Sequence, residues 1–525
     1  MQLAEIRDLD GPNLFMLEPA IKVEVVLGAS ESPEVLANRL APGERDLASA
    51  VGSFIARLDA GMTYGADRIV VRRLDDPAHL AIAFPWSHRT VAMTIAKQLF
   101  AALAGVADDN ITASAQQLKT NNDPADRPTL VRNGDRSAVA ISVTGTNGKT
   151  TTTRLIAHLM RTAGYCTGWN SSSGIYIDGE VIEEGDYSGP SGARRVLENP
   201  SIQAAVLETA RGGILLRGLG YESNDVSVFT NISADHLDLQ GVKTLETLAE
   251  VKAVVCKVTR PGGVVVANAD DPYVMAAIRD VVARRCLFSR QADNPVIEKH
   301  RATGGQVITV IGNEIIVTDR GREIARFDLE AVPITFGGRA GHMIENAMAA
   351  IGAALGAGLS VAQIREGLRT FVNDAEHNQG RLNVYQCGEV TVILDFAHNE
   401  AGLQHLVAFG HGYRAERGRL ITIIGTAGDR SDQSLMQLGT IAAAHSDLVI
   451  AKGTAKYLRG RTLDGLMALY REGASRHPGT PYRESTSEVT AVQDAFSEAR
   501  PGDVIVMMVQ EHIPELEQML RERCA

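Results

Sequence analysis

Gly148-Lys149-Thr150 is the triplet with the clearest chemical capacity in this chain. It closes the run Ile141-Ser-Val-Thr-Gly-Thr-Asn-Gly-Lys-Thr-Thr151. A glycine turn at a helix N-terminus cradles phosphate, because unpaired backbone N–H groups and the helix dipole both point at the anion. Thr144, Gly145, Thr146, Asn147, Gly148, Lys149, Thr150 and Thr151 would form that cradle. Lys149 would reach the terminal phosphates and the Thr150 hydroxyl would ligate Mg2+. A tight turn with a surface lysine is the plainer account. It leaves unexplained why Gly-Lys-Thr follows an apolar run and opens a helical one.

Two further groups suit a metal–phosphate centre. Glu208 ends Ala204-Ala-Val-Leu-Glu208 and precedes a glycine pair. A carboxylate there suits a hard cation, which wants oxygen donors and substrate phosphates; a solvated strand end is an equally good reading of it alone. His236 lies between two carboxylates in Thr230-Asn-Ile-Ser-Ala-Asp-His-Leu-Asp238, which favours a metal or phosphate role. Two phosphate-bridging cations would hold a nucleotide and a carboxylate substrate together. Lys252, in Leu248-Ala-Glu-Val-Lys-Ala-Val-Val255, reads by pattern as a lysine whose stem is buried and whose head is wet. His342 and Asn346 share a helix face near its start, and His342 reads as a capping candidate. His88 and Trp86 read as cap or core.

The elements that must position these residues follow from patterning. Residues 1–110 form a small α+β unit, with strands expected at 21–27, 68–73 and 80–84 and helices at 47–58 and 91–104. Residues 111–136, polar and punctuated by proline, read as a linker. Residues 137–378 alternate strands (138–143, 204–208, 226–231, 263–267, 285–288) with helices such as 150–165 and 245–258. That alternation implies a mostly parallel sheet covered on both faces, with ligands bound outside the carboxyl ends of its strands. Residues 379–525 alternate again, with strands at 391–395, 420–425, 448–451 and 503–508. The expected fold is therefore α/β in three domains: an α+β N-terminal domain, a central P-loop parallel-sheet ATPase domain, and a C-terminal Rossmann-like open-sheet domain.

Composition bounds the function. The 525 residues are 45% hydrophobic and 22% charged, so a large core is available, and a formal net charge of -11 argues against a nucleic-acid surface. The five cysteines form no C-x-x-C pair, so neither a zinc ribbon nor a disulfide framework is expected, and a reducing cytoplasm is the expected compartment. The opening residues carry no basic and apolar leader, and no apolar run is long enough for a membrane span.

In one place the loop departs from the general P-loop: Val143 stands where the first glycine would be. The compact form Thr144-Gly-Thr-Asn-Gly-Lys-Thr-Thr151 resembles the Mur ligase superfamily, which includes muramyl-peptide ligases, folylpolyglutamate synthase and cyanophycin synthetase. The resemblance implies ATP-driven joining of a carboxylate to an amine, with Mg2+, in two ions. On it, Lys149, His236, Lys252 and Arg381 take catalytic roles, and Thr150, Glu208, His236 and Lys252 form the metal set. Lys252 looks like the lysine that is carbamylated in several Mur ligases. Asn346 resembles the residue that meets adenine. Arg381, in Gly380-Arg-Leu382, resembles the arginine that reaches back to the phosphates. Asp395-Phe-Ala-His-Asn399 is similar to the superfamily's Asp-Tyr-Ala-His motif, so Asp395 should contact ribose or hinge, while His398 and Asn399 face the closing cleft. Asp429 and Arg430, in Gly425-Thr-Ala-Gly-Asp-Arg430, should meet the incoming amine.

Within the superfamily, several segments resemble cyanophycin synthetases in particular: Gly174-Ile-Tyr-Ile-Asp-Gly179, Leu207-Glu-Thr-Ala-Arg-Gly-Gly-Ile-Leu215, Gly341-His-Met-Ile-Glu-Asn346, Gly428-Asp-Arg430 and Leu458-Arg-Gly-Arg461. They span residues 137–465, and Ile6-Arg-Asp-Leu-Asp-Gly-Pro-Asn13 is similar to the N-terminal domain of those enzymes. Two departures stand out. The ATP-grasp domain that they carry ahead of the Mur-like part is absent between residues 110 and 137. Lys452–Arg461 also lacks the acidic residues that would suit a basic amino acid. The expected partners are a small-molecule or peptide carboxylate and an amino acid or other amine. A homo-oligomer is compatible with the sequence, which leaves the oligomeric state open. The alternative is a non-ligating, nucleotide-binding or regulatory homologue; a P-loop kinase fits the 395–399 motif poorly.

Overall fold

Threonine is a poor helix former, yet the helix Lys149–Thr162 opens with Thr150 to Thr153. Packing supplies what propensity does not: Leu155, Ile156, Leu159 and Met160 are fully buried under the central sheet. The computed structural model describes residues 1–58, 65–106, 123–234 and 240–524. His236, with its flanking Asp235 and Asp238, lies outside the described residues, as does the first part of the expected linker.

The chain builds three sheets. In the N-terminal unit the order is Gln2–Leu9, Ala20–Val26, His79–Pro85, Val70–Arg73, all antiparallel. Helices Pro33–Leu40, Leu47–Leu58 and Arg89–Leu103 cover one face around Ile21, Val23, Val25 and Phe84. The strand at 2–9 and the helix at 33–40 were not among the expected elements. Trp86 is core, its indole N–H donating to the Leu9 carbonyl at 3.0 Å. His88 occupies the N-cap position of Arg89–Leu103 without a side-chain capping bond.

The central sheet has eleven strands. From Gln306–Ile311 across to Thr167–Ser171 neighbouring strands run parallel, with Val139–Thr144 between Asn224–Phe229 and Ala204–Glu208. The sequence reading missed both edges. Thr167–Ser171, Gly174–Ile177 and Glu180–Glu184 turn back as antiparallel ribbons on one side, and Glu314–Asp319 and Arg322–Asp328 do so on the other. The C-terminal sheet runs Asn383–Cys387, Val390–Asp395, Val504–Met508, Leu420–Ile424, Leu448–Lys452, Tyr482–Ser485, antiparallel only at its first pair.

One apolar cluster is continuous from Val143 and Met343 of the central unit to Leu403 and Leu406 of the C-terminal one. The two units therefore pack around a shared core. The cysteine expectation needs correction in one respect: Cys387 and Cys524 are joined in a disulfide. It ties the helix Ile513–Arg523 to the strand Asn383–Cys387, and 137 residues separate the two half-cystines, so spacing alone could not pair them. Cys166, Cys256 and Cys286 are free. Among the described residues no helix is long and apolar enough to cross a membrane.

Candidate active site

Val139–Thr144 has Asn224–Phe229 on one side and Ala204–Glu208 on the other, so the connections leave its carboxyl end in opposite directions. A crevice forms at such a switch point. Here it is a cavity of about 410 Å3, walled by the P-loop below and by the loops of the C-terminal sheet above. Two glycines make the loop possible. Gly145 has φ +142 and Gly148 φ +84; a Cβ on Gly148 would come within 2.3 Å of Asn346 Oδ1. The loop and the helix Gly341–Gly356 are thus in direct contact.

Thr150 is the hub of the polar groups. Its hydroxyl donates to Glu208 Oε1 at 3.1 Å, lies 3.2 Å from Ser172 Oγ, and accepts from Arg381 Nη2 at 3.3 Å. Glu208 is buried at the end of its strand, and its Oε2 is buried without a hydrogen-bond partner among the described residues. Burial raises the carboxyl above its usual range, against the pull of Lys149 and Arg381. A buried carboxylate oxygen with no donor, beside two hydroxyls, is the oxygen-rich arrangement a hard divalent cation takes.

Both lysines donate to P-loop carbonyls: Lys149 Nζ to Thr146 O at 2.9 Å and Lys252 Nζ to Gly145 O at 2.7 Å. Lys252 is buried, so the pattern-based reading of a wet ammonium is corrected: helix Leu245–Lys257 lies on the sheet and points this side chain inward. Thr146 to Thr151 line the cavity. Thr144 is buried behind it, its hydroxyl donating to Thr209 O at 3.0 Å.

Arg381 enters from the hinge between the two units. Its guanidinium lies over the Phe396 ring, 4.5 Å from the centroid, and burial pushes it down to about 10, so it remains charged at neutral pH. Burial pushes Asp395 up to about 6, against Arg381 and the N–H of Leu382, which donates to Asp395 Oδ2 at 2.8 Å. Asp395 therefore braces the hinge. Asn346 accepts from Thr152 Oγ1 at 3.3 Å and lines the cavity. His342 is not a cap: Ala340 holds the N-cap position, and the His342 ring stacks on His405 of the C-terminal unit at 5.0 Å. Burial pushes His342 down to about 3 and lowers His405, so both rings are neutral.

The C-terminal residues divide. His398 and Asp429 line the cavity. Asn399 is buried; its Nδ2 donates to Asn147 Oδ1 at 3.1 Å across the cleft, and its Oδ1 accepts from Gly402 N at 2.9 Å, capping Glu400–His411. Arg430 is also largely buried, its carbonyl held by Arg461 Nη2 at 2.8 Å. Three residues escaped the sequence reading. Arg154 bonds Ser173 Oγ at 2.7 Å and the hinge at Asn378 Oδ1 and Gln379 O; its position four residues after Thr150 was the available signal. Ser172 and His405 had none, since only the fold brings them to the cleft.

Comparison with known proteins identifies the two larger units. Residues 143–354 match the Mur ligase middle domain, and residues 380–509 match the Mur ligase, glutamate ligase domain. A cyanophycin synthetase from Synechocystis sp. is 39% identical over 380 residues, covering 72% of this chain and 43% of that protein. The match thus spans somewhat less than half the length of that relative. A UDP-N-acetylmuramyl-tripeptide synthetase from Deinococcus radiodurans is 27% identical over 394 residues, covering 72% of this chain and 74% of that one. Among solved structures, E. coli FolC in complex with ADP superposes with a TM-score of 0.54 at 18% identity, over 74% of this chain and 91% of that one.

Proposed function

The chain belongs to the Mur ligase family through its middle and C-terminal domains, and from that premise we propose that it is an ATP-dependent ligase that joins an amine to a carboxylate. The observation that carries the reading is the junction at Thr150: one hydroxyl bonded to both Glu208 and Arg381, next to an orphaned carboxylate oxygen, at the mouth of a P-loop.

The P-loop amides and Lys149 bind and orient the triphosphate of ATP. The γ-phosphoryl group passes to a carboxylate oxygen of the substrate, giving an acyl phosphate and ADP. The amine nitrogen attacks the acyl carbon, the amine proton is lost, and the C–O bond to inorganic phosphate breaks. Little covalent chemistry falls to the protein; positioning and neutralisation of charge carry the rate. A divalent cation, when bound, would supply charge neutralisation at the phosphates. Thr150 and Glu208 would hold one ion, and His236 with Lys252 a second. A carbamate on Lys252 would keep one N–H for Gly145 and offer two oxygens to that ion. Arg381 approaches from the hinge, so its charge is delivered when the units close. His398 and Asp429 would face the amine side, and closure of the C-terminal unit on the central one would exclude water from an acyl phosphate that would otherwise hydrolyse.

The test is a phosphate-release screen of amino acids and short acidic peptides in pairs, with mass detection of the condensed product. At least one pair should give ADP, phosphate and an amide in equal amounts, and Lys149→Ala should lower that rate by about 100-fold or more. Unchanged amide formation by Lys149→Ala would overturn the reading. The second reading is a nucleotide-binding or regulatory homologue that does not itself ligate. It expects ADP binding without phosphate release for any pair.

A further inference from the structure

Among the described residues none of the N-terminal unit lines the nucleotide cleft, yet that unit grips the helix that carries Lys252. Asp75 lies in the turn between Val70–Arg73 and His79–Pro85. Its Oδ2 accepts from the backbone N–H of Lys243 at 2.6 Å and of Thr244 at 3.1 Å. Its Oδ1 accepts from the Thr247 hydroxyl at 2.6 Å. Thr244 is the N-cap of Leu245–Lys257, its own hydroxyl accepting from Thr247 N at 3.2 Å. The helix start is thus capped twice, once from within and once from another unit of the fold. A carboxylate suits this place because unpaired N–H donors and the positive end of the dipole face it. Two ion pairs flank the contact, Lys243 with Asp76 at 3.2 Å and Arg72 with Glu250 at 2.5 Å.

The far end of this grip is the P-loop. Thr247 and Lys252 are five residues apart, roughly 7.5 Å along the axis. Lys252 then donates to the Gly145 carbonyl at 2.7 Å. A second cavity, of about 240 Å3, lies between the N-terminal and central units; Asp75, Thr247 and Gln240 wall it, and Gln240 also walls the nucleotide cleft. The N-terminal unit and the P-loop therefore meet through one helix and the residues leading into it.

We propose that Asp75 is a positioning residue for the nucleotide site: it fixes the start of helix Leu245–Lys257 and, through it, the reach of Lys252 to the P-loop carbonyl of Gly145. The proposal rests on the nucleotide reading of the P-loop given above, and it is tested by a readout that needs no turnover.

Peptide-resolved hydrogen exchange on the full, ligand-free chain is that readout. Asp75→Ala should speed exchange of the amides in residues 145–150 about five-fold or more. Asp75→Asn, which keeps an acceptor favoured at helix starts, should recover most of the protection, and Asp76→Ala should leave the P-loop unchanged. In a Lys252→Ala background, where the P-loop has already lost its tether, Asp75→Ala should add nothing further; that non-additivity is what a merely structural contact would not produce. Faster exchange confined to residues 243–248, or full additivity with Lys252→Ala, would overturn the proposal. ADP titration forms the separate arm. Asp75→Ala should weaken ADP binding several-fold with the same rescue by asparagine. A wild-type chain that binds no ADP would overturn the nucleotide reading itself, while the exchange pattern judges Asp75 independently of it.

Discussion

A carboxyl and a guanidinium share the hinge at Asp395 and Arg381, and burial works against the charge of both. Asp395 is pushed up to about 6, whereas an unfolded aspartate titrates near ~4. Between those values the folded state holds more protons than the unfolded one. Stability contributed at this position therefore falls as pH rises through that window, and the full penalty is present above about 6. Asp395→Asn keeps the acceptor for Leu382 N–H and removes the titration. The variant should gain on wild type as pH rises from 4 to 7, by about 1–2 kcal/mol. Urea unfolding midpoints across that range check it, and a gap that stays constant or narrows would refute the assignment. Glu208 is pushed the same way by the same cause, against the pull of Lys149 and Arg381.

At the scale of elements, the P-loop depends on a backbone shape that only glycine adopts cheaply. Gly148→Ala meets two obstacles, a φ of +84 and Asn346 Oδ1 at 2.3 Å from the new Cβ. The strain should cost about 1–3 kcal/mol, and the displaced loop should lose ADP binding. Melting curves with and without ADP check both, and Asn346→Ala on top of Gly148→Ala should return only the part due to the clash. This element was legible in the sequence because its signal is local: a buried strand, a glycine turn, Lys149 and a helix occur within a few residues. The edge ribbons were missed although their turns carried readable signals, Asp178-Gly179 and Gly312-Asn313, each between apolar runs. Lys252 was read as wet because it interrupts an otherwise apolar helix face; which way that face turns is decided by the sheet, not by the helix. The stack of His342 on His405 and the capping of a central helix by Asp75 join residues far apart in the chain, and no periodicity records such contacts.

Across the whole molecule, the cleft is held closed by few polar bonds over a shared apolar core. The core reaches from Val143 to Leu406 and resists separation of the two units. Asn399 Nδ2 to Asn147 Oδ1 is one polar bond that crosses at the P-loop, and Arg381 Nη2 to Thr150 Oγ1 is another. Arg154 fastens the other side, at Asn378 and Gln379. If closure delivers Arg381 to the phosphates, weakening the Asn399 bond should slow the reaction without unfolding the protein. Asn399→Asp isolates that effect. Aspartate keeps the cap on Glu400–His411, since its oxygen still accepts from Gly402 N, but it removes the amide donor and sets a negative charge against Asn147 Oδ1. Stability should stay within about 0.5 kcal/mol of wild type, while kcat should drop about ten-fold, a barrier increase of about 1.4 kcal/mol. The radius of gyration in the presence of ADP should rise toward that of an open form. Asn399→Ala loses cap and bond together, so it should lose stability as well as rate. The comparison separates the two jobs of this one side chain: if Asn399→Asp keeps full rate and a compact form while Asn399→Ala loses both, the residue serves its own helix and the cleft closes by the apolar core alone.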